Sequence, residues 1–436
     1  MSDPRPGPGM LRHAKAAARR PVALAGKVVA SVVGVALVSS LGIAAIAVAD
    51  VNQNIQSKPV VHLVEQAGSS NAPQVKKSVS GTALQGEINM LLVGTDTRED
   101  QGGQFDNKAD QQASSGAGNN DVTMLLHINA AHTAATVVSF PRDLLIPIPS
   151  CPDPDGGWYS AMSSQMLNTS LTYGGLACPV LTVEQLLGIN DIDYAAEISF
   201  DGVAAMSDAV GGVPVCVASR IYDPYTNPAL DLEPGTHNVK GWEALSFLRS
   251  RHGVDDGSDL ARISNQQNFL SSLLRTITSA GTLSNPVKLY ELAQAATKNM
   301  VLSDTLREPQ TMVGMALALK DIPLSQITFV QYPVFTAPQD ANRLIPDSRN
   351  AELLAEAIQT DQPVTLSGST GRGTVAAPGS TSSPTPTDTA TTPPMSTAPA
   401  DGSTPTPTST DVTLGSNAPG QTAAEQTCTK GVNGNY

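Results

Sequence analysis

Basic side chains are scarce in this chain. Its 436 residues carry 26 Lys and Arg against 39 Asp and Glu, a net charge of −13. That balance excludes a face matched to a polyanion, and with it a nucleic-acid partner. Neither a helix-turn-helix nor a zinc-ligand signature offsets it. Cysteine is sparse too, at four residues, with no C-x-x-C spacing for a redox pair or a metal knuckle. No Gly-x-Ser-x-Gly elbow is present, which disfavours a serine hydrolase. Large apolar side chains are nearly missing from residues 367–420, which are Thr, Ser, Pro, Ala and Gly. Such a segment cannot bury enough surface to fold, so a disordered tail is expected there.

The remainder has room for a sizeable core. Arg5, Arg12, Lys15, Arg19, Arg20 and Lys27 precede an uncharged run from Val28 to Ala49. A run of roughly 20 apolar residues spans a bilayer as a helix, and a basic flank stays in the cytoplasm. Ala47, Val48 and Ala49 also form an Ala-x-Ala cleavage site, although the run exceeds the ~7–15 residues of a signal-peptide core. The expected organisation is a cytoplasmic segment (1–27), a transmembrane helix (28–49), an extracytoplasmic stalk (50–83), one catalytic domain (84–366), the tail (367–420) and a C-terminal segment (421–436) holding Cys428. This places a single-pass protein in the cell membrane with its domain outside.

All four cysteines lie beyond the anchor, where thiols pair. Of three possible connectivities, Cys151 with Cys178 is favoured, because the two close a short Pro/Asp/Gly loop. Cys216 with Cys428 would then tie the tail to the domain.

Within residues 84–366 short apolar runs alternate with helical patterns, as in α/β folds. Strands are expected at Ile88–Val93, Val122–Ile128 and Ala135–Phe140, with a tight antiparallel connection between the second and third. Alternating directions bring Asp96, Asp121 and Arg142 to one sheet edge. A helix is expected from a cap at Ser258 or Asp259, with Arg262 and Gln266 as i, i+4 neighbours. A second helix should end near Phe247 to Arg249, leaving Arg249 and Arg251 on one side of an extended stretch. Two carboxylates and these arginines suit a pyrophosphate held with a divalent cation. Each residue also has a plainer reading: Asp96 and Asp121 as turn acids, Arg142 and Asp143 as a solvated pair, and Arg249, Arg251 and Arg262 as surface charges or ion pairs. Their joint occurrence favours the site.

The stretches NMLLVGTDTR (89–98), NNDVTMLLHINA (119–130), VVSFPRDLLIPIP (137–149), LTYGG (171–175), LTVEQLLGI (181–189), VGGVPVCV (210–217) and LSFLRSRHGVDDGSDLARISNQQNFL (245–270) resemble the LytR-CpsA-Psr family in order and spacing. The resemblance implies an α/β fold, an αβα sandwich with a mixed central sheet and a hydrophobic cleft for a polyprenyl tail. It implies a transferase that moves a glycopolymer from a polyprenyl-pyrophosphate-linked glycan to a peptidoglycan acceptor through a phosphodiester. Carried across, Asp96 and Asp121 hold Mg2+ or Mn2+. Arg142, Arg249 and Arg251 act in catalysis, and with Arg98, Arg262 and Gln266 they hold the pyrophosphate and head group. Asn119 departs from the family, many of whose members have Arg there. A scaffold that only binds the lipid-linked sugar is therefore an alternative, and a lipid pyrophosphatase, with water in place of the sugar acceptor, is another. The alanine-rich composition and long Thr/Pro segment point to an actinobacterial member.

Overall fold

The computed structural model describes residues 49–63, 84–95, 97, 118–153, 156–190, 192–279, 286–378 and 411–432. The chain divides into two units, residues 1–52 and 53–436. Of the first, residues 49–52 are described and are helical. The expected transmembrane run lies almost wholly outside the described residues, among which no helix is long and apolar enough to cross a membrane.

In chain order the second unit holds β1 (Ile88–Thr95), β2 (Asn120–Ile128), β3 (Ala135–Phe140), α1 (Ala177–Leu187), β4 (Tyr194–Ile198), α2 (Phe200–Ala209), β5 (Val213–Val217), β6 (Gly235–Val239), α3 (Gly241–Arg249), α4 (Asp259–Thr278), β7 (Met300–Leu302), β8 (Ile327–Gln331), α5 (Ser348–Gln359), β9 (Thr374–Ala376), β10 (Gly420–Thr422) and β11 (Thr427–Thr429), with further short elements between them. A seven-stranded sheet runs β7-β4-β1-β2-β3-β8-β10. It is mixed: β1 is antiparallel to β2 and parallel to β4, and β3 is antiparallel to β2 and parallel to β8. The three strands read from the sequence are present, and their antiparallel order is as expected.

Side chains on a strand alternate between faces, so the register sorts them. Ala195, Leu91, Leu125, Val138 and Val330 fall in one row across five strands. All five are buried in a single core with Val180, Val183 and Leu187 of α1 and Leu354, Ala357 and Ile358 of α5. The next row, on the opposite face, is Ala196, Leu92, Met124, Ser139 and Gln331. Its polar half meets α4, where Gln267 donates to Ser139 at 3.4 Å and Gln331 donates to Ser264 at 2.7 Å. Helices therefore cover both faces, one through an apolar contact and one through a largely polar one.

On its far side α4 meets a second sheet, ordered β6-β5-β11-β9. Val213, Val215, Val217, Phe247, Ala261 and Phe269 share its core. Cys216 and Cys428 are register neighbours in the parallel β5–β11 pair and are disulfide-bonded. Cys151 and Cys178 form the other bond, with Cα atoms 5.3 Å apart.

Two boundaries are corrected. The segment expected as a stalk (50–83) is not free along its whole described length: Ile55 is buried, Arg307 donates to the carbonyls of Ile55 and Lys58, and Val61 bridges Ser303. The segment expected as a disordered tail (367–420) contains β9, a strand Val412–Leu414 paired with Val364–Leu366, and the start of β10 at Gly420. Pairing with strands remote in the sequence orders these three-residue strands, and Val412 and Leu414 add apolar contacts to the main core. Residues 379–410 lie outside the described residues.

Candidate active site

The register of β1 and β2 slips at one point. Gly94 faces Val122 and Thr95 faces Asn120, so Asp121 is the extra residue of a bulge. A bulge re-aims the side chain it carries, and here it turns Asp121 into a cleft. Asn120 anchors the bulge from inside, accepting from the Leu171 amide at 3.1 Å and donating to Thr123 at 2.8 Å.

Arg142 follows the end of β3 and donates from Nη1 to Asp121 Oδ1 at 2.8 Å. Its amide donates to Asp259 Oδ2 at 3.2 Å. Asp259 opens α4, whose cap is Ser258: the hydroxyl oxygen accepts from the Ala261 amide. A carboxylate in this first turn is favoured by the helix dipole. Arg262 approaches Asp259 Oδ1 at 2.6 Å, an ionic contact not aligned as a hydrogen bond. Arg262 also donates to the Asp121 carbonyl at 3.0 Å. It is buried, which sets aside the surface-charge reading for this residue. One turn on, Gln266 donates to the Leu248 carbonyl at 3.3 Å.

Arg249 is the last residue of α3, where the sequence placed the helix end, and its guanidinium sits 4.3 Å above the Phe200 ring. Such stacking retains the cation beside an apolar wall. Arg251 follows in a turn, not in the extended stretch expected there, and the turn is held by a buried residue that sequence reasoning missed. Asp223 Oδ2 accepts from the Ser250 hydroxyl at 2.8 Å, the Arg251 amide at 3.1 Å and the Gly253 amide at 3.2 Å. Gly253 fits this turn because a Cβ there would lie 2.9–3.0 Å from Ser250, Asp223 and the Tyr222 carbonyl. Nothing local in the sequence ties Asp223 to Arg251, so no signal marked it. Asp259 had been read only as a cap.

The arginines differ in electrostatic state. Burial works against the charge of Arg142, but Asp121, Asp259 and Asp143 outweigh it and hold that guanidinium above its ordinary pKa. Arg251 is pushed below its ordinary value by burial and then by Arg142 and Arg262, against the weaker pull of Asp259 and Asp143. Its Nε is buried without a hydrogen-bond partner among the described residues. A buried donor in that position is stabilised by an anion.

These groups border a cleft of about 340 Å3. Its polar part is Asp121, Arg142, Arg249, Arg251, Arg262 and Gln266, and its walls include Leu92, Met124, Val203, Leu245, Phe269 and Leu273. Helix α4 contributes to both parts, with Arg262 and Gln266 followed by Phe269, Leu270 and Leu273 on the cleft side. At 1.5 Å per residue, Arg262 and Leu273 are about 16 Å apart along the axis.

Among the described residues no three His, Cys, Asp or Glu form a metal-binding group. Asp121 is, among the described residues, the one carboxylate lining the cleft, which fits a magnesium ion taking one or two carboxylates with phosphate oxygens and water. Asp96 and Arg98 lie outside the described residues. Asn119 is described and accepts from the Thr172 hydroxyl at 3.3 Å.

This is an α/β domain with an arginine-lined, amphiphilic cleft. Residues 53–359 match the LytR_cpsA_psr family model, and the chain belongs to that family. It is 36% identical over 208 residues to the probable cell wall biosynthesis protein LcpB of Corynebacterium glutamicum, covering 48% of this chain and 46% of that one. Identity to the cell wall biosynthesis protein LcpA of the same organism is 31% over 278 residues, covering 58% and 51%. The chain thus spans about half the length of these two relatives. It is also 26% identical over 310 residues to the polyisoprenyl-teichoic acid–peptidoglycan teichoic acid transferase TagT of Bacillus subtilis, covering 70% and 86%.

Proposed function

We propose that this domain is a transferase that moves a glycopolymer from a polyprenyl-pyrophosphate carrier to peptidoglycan and leaves a phosphodiester link. The observation that carries the reading is the continuity of the cleft. A charged part with Arg142, Arg249, Arg251 and Arg262 passes into an apolar one along α4. That polarity matches an amphiphile with a pyrophosphate head and an isoprenoid tail. The TagT relative is named as a transferase of the same reaction class.

In the reaction, the oxygen of an acceptor hydroxyl bonds to the glycan-proximal phosphorus and gives up its proton. The bridging P–O bond breaks, and polyprenyl phosphate leaves, with the proton of the acceptor hydroxyl passing to the solvent. Arg142, Arg251 and Arg262 each have a buried Nε without a hydrogen-bond partner among the described residues to give to a phosphate oxygen, and Arg142 and Arg262 are already fixed in place by Asp121 and Asp259. Preorganised donors of this kind stabilise charge that develops on the leaving group. Leu92, Met124 and Phe269 shelter the prenyl chain from water. Magnesium or manganese would be held by Asp121 together with Asp96 and would supply Lewis-acid charge at the phosphates. The run Val28–Ala49 would anchor the domain outside the cell membrane.

A labelled polyprenyl-pyrophosphate oligosaccharide tests this with and without peptidoglycan. Label should enter peptidoglycan through a phosphodiester, and only with a divalent cation present. Release of labelled sugar phosphate to water would identify a pyrophosphatase. Retention of intact lipid without turnover would identify the binding-only scaffold that Asn119 keeps open.

A further inference from the structure

The family match ends at residue 359, yet one side chain well beyond it touches the machinery that sets the arginines. Thr429 of β11 is fully buried. Its hydroxyl accepts from Asn268 Nδ2 at 2.9 Å and donates to Asn265 Oδ1 at 2.8 Å. Asn265, also fully buried, donates from Nδ2 to the Phe247 carbonyl. Phe247 stands two residues before Arg249 on α3, and Asn265 stands three residues after Arg262 on α4. The next residue, Gln266, repeats the link by donating to the Leu248 carbonyl.

The donor and acceptor inventory fixes the direction of this relay. A hydroxyl has one proton, and the amide of Asn268 occupies its acceptor side, so that proton goes to Asn265 Oδ1. The amide of Asn265 is thereby oriented with its NH2 toward the Phe247 carbonyl. The relay closes only when β11 is seated beside β5, where the Cys216–Cys428 bond fastens the adjacent residue. We infer that Thr429 and Asn265 are positioning residues for the pyrophosphate site, setting the spacing between the helix that carries Arg249 and the helix that carries Arg262. Neither touches the substrate.

This inference rests on the proposed lipid-pyrophosphate reading, and the test separates the two. The full chain, with Mg2+, is titrated with geranylgeranyl pyrophosphate and, separately, with geranylgeraniol, which shares the tail and lacks the charge. Thr429→Val removes the hydroxyl at nearly constant shape and should weaken pyrophosphate binding by about tenfold, the scale of one lost oriented hydrogen bond. Alcohol binding should not change, and Thr429→Ser should restore the wild-type value. Asn268→Ala, which frees the hydroxyl to turn away from Asn265, should give a smaller loss of the same selectivity. It serves as the deciding variant if Thr429→Val does not fold. Unchanged pyrophosphate binding in the folded variants overturns the inference, as does equal loss for both ligands, the mark of a merely structural role. Absence of pyrophosphate binding by the wild type overturns the proposed function and the inference together.

Discussion

The two faces of the central sheet are built on opposite chemistry. On one, Leu91, Leu125, Val138 and Val330 meet α1 and α5 in a continuous apolar core. On the other, Ser139 and Gln331 meet α4 through hydrogen bonds, while Leu92 and Met124 line the cleft. Apolar contact is strong and non-directional, and it tolerates small shifts. A buried polar contact contributes less, but it fixes one arrangement, because a displaced partner stays unsatisfied. The first face therefore carries stability, and the second carries the position of α4 and of the arginine that α4 presents. Toward the central sheet, the helix that holds Arg262 and Gln266 is held by polar side chains, while its far side packs in the apolar core of the second sheet.

The largest expected effect tests the stability half of this contrast. Leu125→Ala, at a position with no exposed surface, should destabilise the domain by about 2–5 kcal/mol. Denaturant unfolding measures it, and lipid-pyrophosphate affinity of the folded fraction should be unchanged. A large affinity change would show that the two faces are not separable.

Next comes Asp121→Asn, which retains shape and removes the charge that orders Arg142 and that a hard cation requires. Transfer should fall about 100-fold or more, in the range seen when a preorganised electrostatic group is lost. Asp121 faces the cleft rather than the core, so the melting temperature should move little. A variant that melts far earlier and turns over normally once folded would make Asp121 a structural ion-pair partner.

Arg249→Lys is milder. The charge stays, but the fork that grips phosphate bidentately and stacks on Phe200 is lost. Affinity for the lipid pyrophosphate should drop by about tenfold, a difference of ~1.4 kcal/mol, as read by titration. Equal binding by lysine and arginine would reduce Arg249 to a point charge.

How much of this was legible in the sequence divides along the same line. The strands β1, β2 and β3 declare themselves through runs of Val, Ile, Leu and Met, because apolar burial leaves a pattern in composition. Arg249 and Arg262 could be placed from helix spacing and from Ser258 as a cap. The bulge that aims Asp121 could not be read, since a bulge exists only in the register between two strands. Asp223 and Thr429 reach the site through contacts 28 and 164 residues away in sequence. Their side chains have no local signature. Composition failed at β9 and β10 for the same reason: Thr374 and Gln421 are buried by neighbours remote in the chain.

The smallest effect concerns an exception on the apolar face. Glu197 of β4 is paired in register with Val93 on one side and Val301 on the other. Strand alternation puts it on the same face as Ala195, which belongs to the core. Burial raises its pKa from 4.5 to about 7. Because the folded value is the higher one, the folded state binds a proton that the unfolded chain releases. The contribution of this group is fully present below the unfolded pKa and is lost as pH rises through about 7. Between pH 6 and pH 8 the domain should lose about 1 kcal/mol from this source. Glu197→Gln keeps the neutral shape and removes the titration, so its stability should stay level over that interval and exceed wild type at pH 8. Urea unfolding of both proteins at pH 6, 7 and 8 provides the comparison. Parallel curves would mean that the carboxylate reaches water in the folded state, and that the apolar face is open at β4 where the register closes it.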